Sequence, residues 1–226
     1  MTNTLDSRAL GRADCFGQRF MKPGTYPYNI VPARGAALST LRPFAIKVNA
    51  GGKAGKMAQH NIEVRAEGVT FCAVEVLEIE TGDMVLWNCN QLGAMPFAVV
   101  GDHDFFASNR LKNESGFSHA FGQPGTYHWT DAHGSKTGGV VTVKDPGCKT
   151  DAHFAKWREA LATGTVVMIH DGKVEPAEVE IVTGQTVFFM VVNGPGISIT
   201  DQRLLDLKAD YSAAAMADRP RARARG

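Results

Sequence analysis

Seven histidines and four cysteines bound the metal and nucleophilic chemistry open to this 226-residue chain. Asp131 and His133 stand two residues apart in Asp131-Ala132-His133-Gly134. They pair an oxygen donor with a nitrogen donor, a combination that zinc and non-blue copper accept. A metal site needs a third convergent ligand, which this spacing does not supply. The other reading of the two residues is a hydrogen-bonded turn. Asp102-His103-Asp104 juxtaposes acids and a base, yet three consecutive residues cannot all face one substrate, and such clusters close loops. His128 alternates with Tyr127 and Trp129 and is expected to face solvent. His119 runs in phase with Phe117 and Phe121, so partial burial with a partner is expected rather than catalysis.

No motif names a catalytic residue. The chain has neither a G-x-S-x-G nucleophile elbow nor an H-E-x-x-H helix. The stretch Gly51-Gly52-Lys53-Ala54-Gly55-Lys56 resembles a phosphate loop but lacks its spacing and a following Ser or Thr. It reads as a flexible basic linker. Cys15, Cys72, Cys89 and Cys148 lie far apart with no C-x-x-C, which excludes a zinc ribbon or a dense disulfide framework. Each reads as a buried thiol, and a single disulfide among them stays open.

The elements that must position these residues are strands. Twenty-four Gly and ten Pro punctuate short β-branched and aromatic runs, the pattern of an all-β sandwich or barrel. Strands are predicted over 61–69, 75–79, 84–87, 96–100, 117–121, 125–130 and 139–143. Glu80-Thr81-Gly82-Asp83 joins two of them in a tight turn. Asp151–Ala162 departs from the pattern. Phe154, Trp157 and Leu161 recur at helical spacing after Asp151 as N-cap, predicting a helix packed by one face on the sandwich. Leu204, Leu205 and Leu207 suggest a second short helix before a frayed basic tail, Arg219 to Gly226. Trp87, Trp129 and Trp157 read as core.

Composition narrows the class. Twenty-four Lys and Arg against 23 Asp and Glu leave a charge of +1, which argues against a nucleic-acid footprint. The longest apolar run, Val187–Val192, is far short of a membrane span. The first twenty residues carry Asp6, Arg8, Arg12 and Asp14 where a signal peptide would be apolar. A cytoplasmic protein is expected unless the chain is a processed form.

An internal repeat organises the chain. Phe20-x-x-Pro23-Gly24-Thr25-Tyr26-x-Tyr28 returns 101 residues later as Phe121-x-x-Pro124-Gly125-Thr126-Tyr127-x-Trp129. Glu78-Ile79-x-Thr81-Gly82-Asp83-x-Val85-x-Trp87 returns after 102 as Glu180-Ile181-x-Thr183-Gly184-Gln185-x-Val187-x-Phe189. Residues 60–145 contain both motifs and are expected to form a complete domain. Residues 10–49 match its back half and 165–202 its front half, separated by the linker 50–59, the helix 150–163 and the tail 203–226. Half a sandwich leaves an apolar face and open edges in water, so the two flanks are expected to complete each other, within one chain or between chains.

The order of motifs in 60–145 resembles the cupredoxin family: a Thr-Gly-Asp turn, Val85-x-Trp87-Asn88, a Pro-preceded strand, Phe-x-x-Pro-Gly-Thr-Tyr, then Gly139-Val140-Val141-Thr142-Val143. The resemblance implies a Greek-key β-sandwich of seven or eight strands, one unit intact and one split. It also implies where copper ligands would stand. Phe97 occupies the place of the first His after Pro96, Asp131 that of the Cys, Gly134 that of the second His and Thr137 that of the Met. Sliding the register brings His133 towards a ligand place but yields no Cys. In the flanking unit Ile30 and Pro195-Gly196-Ile197 fall at ligand positions. A blue site needs two imidazoles and a thiolate, so no cofactor is expected, with copper or zinc at Asp131 and His133 as the alternative. Phe97 and Trp129 are expected to cap the end of the sandwich with an apolar contact patch.

These readings point to a non-catalytic structural or interaction subunit without type 1 copper. It is expected to act through protein partners or self-association, as a homo-oligomer or an accessory subunit of a larger complex. The alternative is a metalloprotein or oxidoreductase subunit with a rebuilt non-blue copper or zinc site.

Overall fold

Alternating apolar residues set the strands, and the turn glycines set where they reverse. The structure, a computed structural model, describes residues 4–33, 41–51 and 57–206. The first run of strands is β1 (Asp14–Arg19), β2 (Gly24–Pro32), β3 (Phe44–Asn49), β4 (Gln59–Glu63), β5 (Arg65–Glu67), β6 (Thr70–Cys72), β7 (Val76–Glu80), β8 (Met84–Asn88) and β9 (Phe97–Gly101). The second is β10 (Ser115–Ala120), β11 (Gly125–Thr130), β12 (Gly138–Lys144), helix α1 (Asp151–Leu161), β13 (Thr165–His170), β14 (Lys173–Glu175), β15 (Glu178–Val182), β16 (Thr186–Asn193) and β17 (Thr200–Asp201). The chain is all-β in class. The strand expected over 61–69 is divided between β4 and β5.

Two four-stranded sheets, β7-β3-β2-β9 and β15-β12-β11-β17, pack on a seven-stranded sheet of order β14-β13-β16-β10-β1-β8-β4. Aromatic side chains bridge the layers. Tyr28 of β2 meets Trp87 of β8 edge-on at 5.5 Å, and Trp129 of β11 meets Phe189 of β16 at 5.3 Å. These rings and the aliphatic side chains between the layers form one buried core.

The strand pairings correct the expected partition. Thr25–Tyr28 in β2 pairs with β3, and Tyr28 begins the pairing with β9, whereas Val187–Phe189 in β16 pairs with β10 and β13. The 10–49 flank is therefore completed by the 59–101 strands that follow it, and 165–201 completes 115–144. The two repeated motifs bond to each other inside each unit. Phe20 N donates to Asp83 O (3.0 Å) and Gly82 N to Phe20 O (2.7 Å); Phe121 N donates to Gln185 O (3.0 Å) and Gly184 N to Phe121 O (2.7 Å). Both turns need a positive φ, +97° at Gly82 and +94° at Gly184, which glycine adopts freely. Joining neighbouring segments closes a shorter loop than joining 49 to 165, at lower entropic cost.

The units meet through β1 and β10, antiparallel, with Phe16 directly opposite its own repeat equivalent Phe117. A pseudo-twofold axis passes between those two residues. Two arms lock the arrangement. In the arm before β1, Leu5 O accepts from Asp201 N (2.8 Å), Ser7 N donates to Ile199 O (2.9 Å), and Leu10 pairs with Phe97. In the arm before β10, Phe106 O accepts from Gly101 N (2.8 Å), Ser108 N donates to Val99 O (3.0 Å), and Leu111 pairs with Ile197. Each arm thus spans both units, with Leu5, Leu10, Phe106 and Leu111 buried.

Helix α1 forms, but Thr150 caps it in place of Asp151, its side chain accepting from His153 N at 3.3 Å. No residue of the helix is fully buried, and it meets the sandwich through half-buried Trp157, which donates Nε1–H to Thr183 O at 2.8 Å, through Leu161 beside Gly184, and through Ala160 O, which accepts from Gln185 Nε2 at 2.7 Å. A helical turn opens at 202–206. The tail from Leu207, and Gly52, Lys53, Ala54, Gly55 and Lys56 of the linker, lie outside the described residues.

Candidate functional site

Asp131 follows β11 and opens the loop that returns as β12. Its backbone N–H donates to Thr137 O at 3.0 Å, closing the loop like a short hairpin. The buried carboxylate then fills with donors. Oδ1 accepts from Ser198 N (2.8 Å), Ser198 Oγ (3.3 Å) and His133 N (3.1 Å), and Oδ2 accepts from Ser135 N (3.1 Å). Burial pushes its pKa up, but these hydrogen bonds outweigh burial and hold the carboxyl below its usual range. The His133 ring turns to the other arm, with Nε2 2.9 Å from Asn109 O. A carbonyl only accepts, so Nε2 carries the proton. Asp131 and His133 share a loop, yet the carboxylate closes on that loop and on Ser198 whereas the imidazole meets Asn109 O. Among the described residues no three His, Cys, Asp or Glu side chains are placed to hold a metal ion.

The other positions at which copper ligands would be expected carry no donor set. Phe97 is buried beside Phe71, ring centroids 5.7 Å apart, with its backbone paired to Leu10. Thr137 is buried in the loop, and Gly134 turns it at φ +93°. Ile30 is core, and Ile197 pairs with Leu111. No cysteine lies in this loop, and all four are free thiols. A site needing a thiolate and two imidazoles does not fit these residues. Cys89 is buried as expected, whereas Cys15, Cys72 and Cys148 are half-buried. Phe97 and Trp129 are both sealed in the core, which corrects the expectation that they form an apolar contact patch. Trp157, half-buried, likewise departs from the core placement expected of it.

In the acid–base cluster, Asp102 and His103 meet at the surface. His103 points into solvent, 94% exposed, with Nε2 3.3 Å from Asp102, whose other oxygen lies 3.9 Å from Arg42. His128 faces solvent as its alternation predicts.

His119, expected to be partly buried with a partner, is fully buried, and the sequence did not name the partner. On the seam between units, His119 lies opposite Asp14. Nδ1 and Asp14 Oδ1 are 2.6 Å apart, with side chains 1% and 4% exposed. Asp14 Oδ2 accepts from Gly11 N at 2.7 Å. Burial pushes the Asp14 pKa up, against the opposing pull of the His119 hydrogen bond and charge. Under the pseudo-twofold, the equivalent pair is Gln18 and Ser115, neutral, with Gln18 Nε2 donating to Arg19 O, Asn113 O and Glu114 O. The signal for Asp14 was its phase: Asp14, Phe16, Gln18 and Phe20 all point inward, like Ser115, Phe117, His119 and Phe121.

An Asp–His pair could activate a nucleophile. Here the adjacent hydroxyl and thiol, Ser118 and Cys15, alternate to the opposite face of the sheet. Burial, and then the Asp14 charge, push the Cys15 thiol up to about 12, far from a reactive thiolate. No helix among the described residues is long and apolar enough to cross a membrane. No protein-family model, curated protein or solved structure matches this chain.

Proposed function

We propose that this chain is a non-catalytic structural or interaction subunit, built from two cupredoxin-like Greek-key units that lack the ligands of type 1 copper. The observation that carries the reading is the Asp131 carboxylate. At the position where a thiolate would bind copper, it is consumed by backbone and hydroxyl donors and staples the loop to Ser198. A group already satisfied by four hydrogen bonds gains little by ligating a metal. Each unit carries the halves in permuted order, back half first, and the arms tie both units into one body. Such a scaffold presents surfaces rather than a reaction centre, as a homo-oligomer or an accessory subunit.

Titration of copper(II) and zinc(II) into the wild type and an Asp131→Asn, His133→Ala double variant tests this reading. The expected result is no stoichiometric binding that the double variant abolishes. One metal per chain, lost in the double variant, overturns it in favour of a rebuilt metal centre.

A further inference from the structure

The two units join along one strand pair, β1 with β10. At one end of it Arg19 and Glu114 lie 3.6 Å apart within reach of water. At the other end Asp14 and His119 are sealed from water, and their proton sites are few. One proton lies between Asp14 Oδ1 and His119 Nδ1, 2.6 Å apart. Asp14 Oδ2 takes the N–H of Gly11 at 2.7 Å, which ties the first arm to β1. His119 Nε2 is buried with no hydrogen-bond partner among the described residues, and the ring meets Phe121 edge-on at 4.7 Å. Two states follow. With the single proton, both carboxylate oxygens are bonded, but the seam holds a negative charge. A second proton neutralises the pair, yet it sits on Nε2 without an acceptor or on Oδ2 against the Gly11 donor. Each state leaves one buried group unmet, a charge in the first and a hydrogen bond in the second. Opposed penalties of this kind make an element that pH can tip.

The surroundings decide which penalty is larger. On the arm, Asp6 adds a second negative charge that acts on Asp14 and is itself bonded to Arg8 at 2.8 Å, while Arg12 is exposed. Cys15 of β1 alternates to the opposite face of the sheet. Buried Cys89 follows β8, and Val187 of β16 stands opposite His119. From the facing sheet, Tyr127 packs on Phe121 with its hydroxyl engaged by Gln123 O, and Asp201 is held by Arg203. Among the described residues, the charges acting on Asp14 are thus His119 and Asp6. Burial outweighs the His119 bond and charge, and Asp14 keeps a proton more tightly than an ordinary carboxyl. We propose that the Asp14–His119 pair is a proton-operated clasp between the two units. Neutralised by its proton, it closes the seam. When that proton leaves, the bare carboxylate draws water between the first arm and β1, and the seam loosens. The pseudo-equivalent Gln18–Ser115 pair has no such proton to lose. The clasp goes beyond the structural-subunit reading and does not depend on it. A carboxyl raised above its unfolded value stabilises fully below about pH 4, and that stabilisation is lost as pH rises through the folded value. Asp131 and Asp83, both lowered, run the other way.

Urea unfolding of the full chain from pH 4 to 9 tests this on the wild type and on the double variant Asp14→Ser, His119→Gln. The variant copies the neutral Ser115 and Gln18 into the other end of the seam. The carbonyls that Gln18 meets, those of Arg19, Asn113 and Glu114, have counterparts in Ala120, Arg12 and Ala13, so the replacement finds partners. The wild-type unfolding constant should rise with pH relative to that of the variant, by up to about tenfold per pH unit while the proton leaves. A ratio that stays flat or falls across this range overturns the proposal. Hydrogen exchange on the wild type alone gives a second reading. Corrected for the intrinsic pH dependence of exchange, opening of the Gly11 amide should increase with pH. Val140, bonded to Ala177 O at 2.9 Å away from the seam, should not follow it. Equal responses at Gly11 and Val140 overturn the proposal even where the double variant does not fold.

Discussion

The two units keep the same backbone frame and differ in their polar side chains. Tyr26 Oη donates to Lys22 O at 2.8 Å, and Tyr127 Oη to Gln123 O at 3.0 Å. Thr81 N donates to Asn49 O, and Thr183 N to Lys144 O, both at 3.0 Å. Against this constancy, Ile30 in the first unit becomes Asp131 in the second, and Asn61 and Glu63 on β4 become Val166 and Met168 on β13. Asp14 becomes Ser115, and Gln18 becomes His119. Backbone hydrogen bonds and buried rings define the frame, since neither can be lost without exposing an unpaired group or an apolar face. Polar side chains were free to diverge, and they did so at the seam, at the loop that carries Asp131 and on the outward face of the seven-stranded sheet.

The seam should show the largest asymmetry. Asp14→Ala leaves His119 buried without its partner and should lower stability by about 3 kcal/mol or more. Ser115→Ala, at the pseudo-equivalent place, should cost about 1 kcal/mol. Urea denaturation measures both, and equal losses would mean that the Asp14–His119 pair does not bind the units more tightly than its neutral counterpart.

The arms come next. A Cβ on Gly101 would stand 2.8 Å from Phe106 O and 2.7 Å from its ring, so Gly101→Ala should cost about 2 kcal/mol through overpacking. The second unit carries Asp201 at this place, and Asp201→Ala should cost about 1 kcal/mol, the loss of its bonds to Arg203. A Gly101→Ala protein as stable as wild type would show that the arm yields to the first unit without strain.

The Ile30 and Asp131 ends of the two units should differ in their response to acid. Asp131 has a lowered pKa, so its contribution is present above the unfolded carboxylate value of about 4 and is lost as pH falls through its folded value. Asp131→Asn should be less stable at pH 7 by about 1–2 kcal/mol and should show a shallower acid limb. Part of that limb should remain. Burial pushes Asp83 up, but the His60 bond at 2.8 Å and the bonds from Ala58 N and Glu80 N hold it below its usual range. Unfolding midpoints at pH 7, 4 and 3 test this, and an unchanged limb in Asp131→Asn would separate the loop from acid stability. The smallest effect belongs to α1: Trp157→Ala should cost about 1 kcal/mol, because Leu161 beside Gly184 and the Gln185 bond to Ala160 O still hold the helix. A loss of several kcal/mol would place the helix in the core.

The all-β class, the repeat, the α1 segment and the inward phase of His119 were legible in the residues, because alternation and Gly-Pro punctuation are local signals. The partition was not. With Phe20, Glu78, Phe121 and Glu180 opening the four motif copies in order, the same offset permits two pairings of halves. Which Phe-x-x-Pro-Gly segment bonds to which Thr-Gly turn is a long-range choice, made here by Phe20 with Gly82 and by Phe121 with Gly184. The resemblance orders the halves front then back, and the structure joins them back then front. Asp131 was legible as a residue of interest, but its role depends on Ser198, 67 residues away. Asp14 lies 105 residues from His119, too far for any spacing rule.

The most direct test of the central claim is the metal content of the protein as purified, by elemental analysis for copper, zinc and iron with a visible spectrum of the same sample. Copper, zinc and iron each well below one atom per chain and no charge-transfer band are predicted. One copper or zinc per chain, removed by substituting Asp131 and His133, would contradict the account.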